Sequence, residues 1–290
     1  MKKSFFKIML FVFAMSLFAN NLSAQGIFVK INAGYGFGLG MESGWLSNTT
    51  KNTTSSTGEY NETYENVNLS LGKGLNFGAT FGAMFSKNVG AELGLNYLIG
   101  GKTTCQDVHS RTAILLIPAY TTTDEFSMSA SMFRINPSII VASGSEKLEP
   151  YAKLGLVIGL GSVTEEFIGT TTLNSDKTEY SIKYDGGIAL GVSSALGINF
   201  SLNDNMALFG ELNMINMSYA PSKSVYTKYT VDGVDELPAM TVNDKETEYV
   251  DSYTYDSTAP STPDSQPDQQ LKFKTPFGSL GINLGLKIKF

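Results

Sequence analysis

His109 stands beside Ser110, four residues after Cys105, and these are the side chains whose types most invite chemistry. A nucleophilic site needs a base within hydrogen-bond reach of the nucleophile and a third group to orient that base. The chain holds a single His and a single Cys, and no convergent set can be assembled around them. A solvent-exposed loop histidine is therefore the expectation. One His and one Cys four apart do not make a closed zinc site. Cys105 cannot form an internal disulfide, which leaves a free thiol, a partner-bonded one, or a buried inert one. The carboxylates between Asp232 and Asp268 are ligand types that Ca²⁺ or Mg²⁺ accept, but they lack EF-hand spacing, and a charge-rich stretch is usually a solvated one. The sequence thus predicts no catalytic residue, no cofactor and no metal site.

A second set of charged groups is dispersed: Lys30, Glu92, Arg134, Lys153, Glu211, Lys287 and Lys289. Strict two-residue alternation links them. Ile27, Val29, Ile31, Ala33, Tyr35, Phe37 and Leu39 alternate with Phe28, Lys30, Asn32, Gly34, Gly36 and Gly38. The same pattern returns at 75–85, 89–99, 133–141, 152–160, 188–200, 208–214 and 278–290, with Leu280, Ile282, Leu284, Leu286, Ile288 and Phe290 on one face of the last. Period two with one apolar and one polar face is the signal of a strand between two environments. The last run, too long for a usual strand, fits one tilted across a bilayer, which takes about 9–11 residues. Pro137 interrupts the fourth run and predicts a bulge or an unpaired ladder position.

Short polar turns and long polar stretches alternate between these runs. Ser86-Lys87-Asn88, Ser143 to Lys147 and Leu202 to Asn205 are turn-like, whereas about 40–67, 101–126, 164–182 and 220–272 are long. An even number of strands with short turns on one side and long loops on the other is the rhythm of a bacterial membrane barrel. The fold predicted is all-β: an eight-stranded antiparallel transmembrane up-and-down β-barrel with long extracellular loops. Within them, 164–182 reads as a hairpin extension above the membrane and Val231-Asp232-Gly233-Val234 as a hairpin turn. Trp45, at a strand boundary, suits an interfacial aromatic girdle. Ala259 to Gln270, with three prolines, reads as low-complexity linker.

Lys2, Lys3 and Lys7, the apolar run Ile8 to Phe18 and the small residues up to Ala24 follow the order of a secretory signal peptide. Residues 1–24 are assigned to it and 25–290 to the barrel domain. Without those lysines the chain has 18 basic residues against 27 acidic, a formal charge of −9. That balance argues against nucleic-acid binding, which needs a basic surface. Inside a narrow barrel, charges persist only if paired. The inward groups Glu92, Arg134, Lys153 and Glu211 are therefore the candidates for an interior ion-pair core. An eight-stranded barrel is just filled by its own side chains, which disfavours a wide pore.

Phe133-Arg134-Ile135-Asn136-Pro137-Ser138, Glu149-Pro150-Tyr151-Ala152-Lys153-Leu154-Gly155, Phe209-Gly210-Glu211-Leu212-Asn213 and Met217-Ser218-Tyr219-Ala220-Pro221 resemble the outer-membrane β-barrel domain family of Bacteroidota. The resemblance covers residues 26–290 and implies a small OmpA- or OmpX-like barrel. It departs from full OmpA in lacking the periplasmic domain, so peptidoglycan anchoring is not implied. Leu284, Leu286, Ile288 and the terminal Phe290 resemble the signal that barrel-assembly machinery reads. Asp256-Ser257-Thr258 resembles the O-glycosylation sequon of the same bacteria, with a plain linker as the alternative. The partners implied are outer-membrane lipid and lipopolysaccharide, the assembly machinery, and a host or cell-surface ligand held by the loops. The function expected is non-enzymatic loop display for envelope integrity, adhesion or surface contact. The alternatives are a narrow or gated small-solute channel and, from a third class, an envelope enzyme acting on lipid or peptide.

Overall fold

Runs of alternating side chains become strands when each can be paired on both edges, and here almost every run is. The computed structural model describes residues 26–39, 41–54, 59–113, 118–254 and 263–290, with 41–46 as backbone alone. The first strands are β1 (Gly26–Gly38), β2 (Met41–Thr53), β3 (Tyr60–Leu69), β4 (Gly74–Met84), β5 (Val89–Gly100) and β6 (Thr103–Arg111). Next come the long strands β7 (Tyr120–Ala142) and β8 (Leu148–Thr171), then β9 (Lys177–Asp185), β10 (Ile188–Ser201), β11 (Met206–Ala220) and β12 (Lys223–Val231). The short strands β13 (Val234–Asp235), β14 (Glu246–Val250), β15 (Asp268–Leu271) and β16 (Thr275–Pro276) precede β17 (Ser279–Lys289). The helical elements described are a 3₁₀ turn at Leu237–Ala239 and α1 (Val242–Lys245), capped by the Thr241 side chain. Neither can cross a membrane, and no described helix is long and apolar enough to do so.

Eight strands close into an antiparallel ring. β1 pairs with β4, and the order continues through β5, β7, β8, β10, β11 and β17 back to β1. These eight carry the alternating runs. At the lower end, neighbours join by tight turns whose polar side chains satisfy the backbone. Ser86 Oγ accepts from the Asn88 and Val89 N–H groups, and Asn203 Oδ1 accepts from those of Asn205 and Met206. Pro137 interrupts the β7–β8 ladder without a register shift: Asn136 and Pro137 have no ladder partners there, while pairing resumes in the same register on both sides. The Asn136 side-chain amide donates to Leu156 O at 2.5 Å, opposite the proline that has no N–H to give.

The strand content exceeds the eight expected from alternation, because the supposed loops are themselves mostly strands. β3, β2, β6, the upper parts of β7 and β8, β9, β12, β14 and β15 form one continuous sheet above the ring. Two of its pairings, β2 with β6 and β14 with β15, are parallel. These segments are rich in Thr, Tyr and Val, which favour the pleated backbone, and those of β2 and β3 are polar at alternate positions of both parities, so no hydrophobic period announces them. The hairpin expected at 164–182 is the β8–β9 pair. Val231 pairs with Val234 across Asp232 (φ 51°) and Gly233 (φ 81°), the two left-handed residues that a two-residue turn of this hand requires. Residues 1–24, Asp256-Ser257-Thr258 and the side chain of Trp45 lie outside the described residues, as do 259–262 of the linker expected at Ala259–Gln270, whose last residues are not linker but part of β15.

Candidate functional site in the filled interior of the ring

Alternation sends every second residue of the ring inward, and the inward set is stacked in layers. At the lower end sit Phe28, Tyr151 and Phe209, each over a glycine of the neighbouring strand. A Cβ on Gly82 would meet the Phe28 ring at 2.2 Å, and one on Gly197 would meet the Tyr151 ring at 2.3 Å. Small residues opposite large ones let a narrow ring be filled to the axis. Ile140 and Ala142 pack with Tyr151 at the same level.

Above these rings lies the ionic layer. Lys30 Nζ is 2.5 Å from Glu92 Oε1, and Lys153 Nζ lies 3.2 Å from Glu92 Oε2 and 2.6 Å from Glu211 Oε2. Tyr151 Oη donates to Glu211 Oε2 at 3.0 Å. The Lys30 ammonium also sits over aromatic faces, 4.5 Å from the Tyr151 centroid, 5.3 Å from Phe28 and 5.4 Å from Phe209. At 1% exposure, Lys30 has exchanged its water for a carboxylate and three ring faces. Below, Lys287 Nζ lies 3.6 Å from Glu149 Oε2, which also accepts from Asn199 Nδ2 at 2.8 Å.

The structure therefore brings Glu92, Lys153 and Glu211 into one network and leaves Arg134 outside it. Arg134 is 4% exposed, and its guanidinium donates to Asn76 Oδ1; its Nε and Nη1 have no hydrogen-bond partner. The correction has a geometric cause. Along β5, Glu92 lies level with Ser138, and Arg134 lies level with Asn96, two inward positions higher. Lys30 and Tyr151 complete the layer. Lys30 was legible as inward-facing, but nothing in the sequence ranked it above the other lysines.

An apolar layer closes the ring above the ions. Leu98, Met132, Val157, Ala189, Met217 and Tyr219 come from the strands, while Leu69 and Leu71 and then Phe277 enter from the segments leading into β4 and β17. The Tyr219 hydroxyl donates to Gly161 O at 3.0 Å, so no polar group is stranded among them. Between the two apolar levels a cavity of about 50 Å³ remains, bordered by Arg134, Glu92 and a group of asparagines.

The other candidate residues lie in the upper sheet. His109 and Ser110 are in β6, not in a loop, and successive strand residues point to opposite faces. His109 Nε2 lies 3.2 Å from Thr53 Oγ1, and Ser110 Oγ lies 3.1 Å from Thr121 Oγ1. They are not brought together. Cys105 is buried opposite Phe126, and burial, reinforced by Asp107, raises its thiol pKa, which lowers the thiolate fraction. On the face continuous with the ring interior, Phe126, Phe167 and Tyr180 form a cross-strand ladder with centroid spacings of 4.8 and 4.7 Å, and Tyr226 follows at 5.7 Å. Burial first, then Glu165, pushes the Tyr180 phenol up to about 12. Three acidic residues of 232–268 have local partners: Asp232 accepts from Lys177 N–H, Asp244 from the Thr241 hydroxyl, and Asp251 lies 3.0 Å from Lys272 Nζ.

Leu284 of the terminal strand is among the most exposed apolar side chains, at 65%, whereas Leu286 and Ile288 are half-buried between β1 and β11. Phe290 is exposed and tied to the ring by its N–H to Ile27 O at 2.9 Å.

No family model matches the chain, and no curated protein does. Among solved structures, the outer membrane protein OprG from Pseudomonas aeruginosa is similar at 12% identity and a TM-score of 0.41, over 92% of this chain and 96% of that one. A likeness this distant fixes neither the fold nor the function of the chain.

Proposed function

We propose that the chain is a non-enzymatic outer-membrane β-barrel protein whose eight ring strands cross the bilayer and hold the upper sheet at the cell surface. The observation that carries this reading is the outer face of the ring. Leu154 (68% exposed), Leu196 (66%), Leu284, Ile139, Leu190 and Ile31 belong to a girdle of large apolar side chains around it. A water-soluble protein rarely leaves so much contiguous apolar surface open. Its height fits as well. From Ile188 to Phe200 on β10 the outward positions are apolar except Ser194, about 40 Å of strand at ~3.4 Å per residue. Tilted by about 35–45°, that spans roughly 30 Å, the thickness of a bilayer's hydrocarbon core.

Above Leu160 the same face of β8 turns polar, with Ser162, Thr164 and Glu166. Glu166 lies 2.5 Å from Lys102 Nζ. The partners of such a protein are outer-membrane lipid and lipopolysaccharide around the girdle and the barrel-assembly machinery during insertion. A host or cell-surface ligand would meet the upper sheet. Two apolar levels and the ionic layer between them favour display over conduction. The test is refolding of the mature chain into lipid vesicles, followed by heat-modifiable gel migration and planar-bilayer recording. Heat-modifiable migration without conductance is expected. Step-like currents would favour the channel, and failure to partition into vesicles would remove the membrane assignment.

A further inference from the structure

We infer that the ring interior holds a small monovalent inorganic anion, of the size and charge of a halide, against the Arg134 guanidinium. The inference rests on the interior of the ring and not on the membrane assignment. Among the described inward-facing groups of the buried layers, Lys30, Arg134, Lys153 and Lys287 oppose Glu92, Glu149 and Glu211. Each carboxylate has an ammonium within 3.6 Å, and each lysine has a carboxylate. Arg134 alone has neither a carboxylate nor water-exposed surface to offset its charge. Its one protein acceptor is neutral, the Asn76 amide oxygen, and Nε and Nη1 remain unsatisfied. A buried cation in that condition is among the costliest arrangements a fold can carry.

The guanidinium borders the cavity of about 50 Å³, and a water-sized occupant needs only about 10–15 Å³ by this measure. The space therefore admits an ion with one or two waters, and no organic solute. Its wall supplies neutral donors. Asn96, Asn213, Ser138 and Ser193 border it, and their amide and hydroxyl groups can turn N–H or O–H toward an anion. Asn283 borders it too, with an unpartnered Oδ1 that a bridging water, or the flipped amide, would satisfy. Glu92 and Glu211 are the carboxylates that border the cavity and could repel an anion, and Lys30 and Lys153 pair with them and offset their charge. Apolar layers flank the cavity above and below, and an ion taken up between them as the ring closes acts as a structural counter-ion.

The test uses the mature chain refolded in detergent in chloride, bromide or gluconate at equal ionic strength, with unfolding followed by the heat-modifiable gel shift. The melting temperature of the wild type should rise with halide concentration and saturate, while gluconate, too large for the cavity, has no such effect. Asn76→Asp places a carboxylate on the acceptor that Arg134 already touches. It should stay folded, melt at or above the wild type in gluconate, and lose the halide dependence. Crystals grown in bromide should show an anomalous peak within hydrogen-bond distance of Arg134 in the wild type and none in Asn76→Asp. Equal melting in halide and gluconate with no bromide peak would mean that water alone fills the site and would overturn the inference. Halide dependence that survives in Asn76→Asp would place the ion elsewhere and overturn it equally.

Discussion

The ring and the upper sheet share two strands, β7 and β8, yet the two ends of these strands obey opposite rules. In the ring the charged groups point inward and the large apolar side chains outward: Lys153 and Leu154 are adjacent residues with opposite fates. Above Leu160 the order reverses. Phe126, Phe167 and Tyr180 pack on the inner face, while Glu166 and Glu179 carry their lysine partners on the outer one. On the proposed membrane placement one backbone geometry would serve two solvents, because a strand's two faces can be assigned independently. Below, the surrounding medium would be hydrocarbon, so the polar groups must satisfy one another inside. Above, water would surround the sheet, so its aromatic side chains pack on one another.

The sharpest way to break this contrast is to empty one end of the ionic layer. Glu92→Ala would leave Lys30, 1% exposed, without its carboxylate and would remove one of the two partners of Lys153. A cost of roughly 3–5 kcal/mol is expected for a buried pair broken on one side. Glu211→Ala should cost less, since Lys153 keeps Glu92 at 3.2 Å. Denaturant unfolding in lipid vesicles measures both. An unperturbed Glu92→Ala protein would show that the layer is hydrated after all.

Next in size is the same substitution placed at both ends of β8. Leu154 and Ile168 both face outward on this strand, fourteen positions apart. Leu154→Arg should cost about 2–4 kcal/mol if it sits near the bilayer midplane. Ile168 pairs with Glu125 on one side and Glu179 on the other. Ile168→Arg should change stability by no more than about 0.5 kcal/mol, as surface substitutions usually do. Similar penalties at the two positions would mean that the girdle is not in lipid.

What was legible in the sequence follows from the same contrast. The ring strands announce themselves because their two faces meet different media, and Leu190-Gly191-Val192-Ser193 alternates accordingly. In the upper sheet, β2 runs Ser47-Asn48-Thr49-Thr50 with no difference between faces, so its pairing with β3 and β6 leaves no periodic trace. The inward direction of Glu92, Arg134, Lys153 and Glu211 could be read from alternation, but their partners could not. Partnership depends on height around a staggered ring, and that height places Lys30 in the network and Arg134 two positions above it. The apolar ceiling was hidden for another reason. Leu71 and Phe277 come from short linkers, where single hydrophobic residues carry no pattern.

A third, smaller effect separates the sheet from the ring. Phe167 stacks on Tyr180 and touches Phe126, so Phe167→Ala removes two ring contacts, each worth about 0.5–1.5 kcal/mol beyond the buried area. The loss should be local. Amide hydrogen exchange in β9 and β12 should quicken while the heat-modifiable shift of the ring stays where it is. A lowered ring transition would mean that the two regions unfold as one unit.

The smallest effect is electrostatic and tests whether the upper sheet stands in water. Hydrogen bonds from Lys177 and Lys228, at 2.6 and 2.5 Å, pull the Glu179 carboxyl down to about 2 from an ordinary value of 4.5. A carboxylate with a depressed folded-state value contributes stability that is complete above its unfolded value and is lost as pH falls through the folded one. The contribution of this cluster should therefore be intact above about pH 5 and fade between about 4.5 and 2. Because the two lysines are exposed, salt should mute it, the Debye length being about 3 Å at 1 M. Hydrogen exchange of the β9–β12 pair, measured at pH 5 and pH 3 and referenced to the intrinsic rate at each, reads the loss directly. Glu179→Gln should abolish the pH difference at low salt, and 1 M salt should shrink it in the wild type. A difference that persists in Glu179→Gln would assign it to another carboxylate, and one indifferent to salt would mean that this edge of the sheet is shielded from solvent.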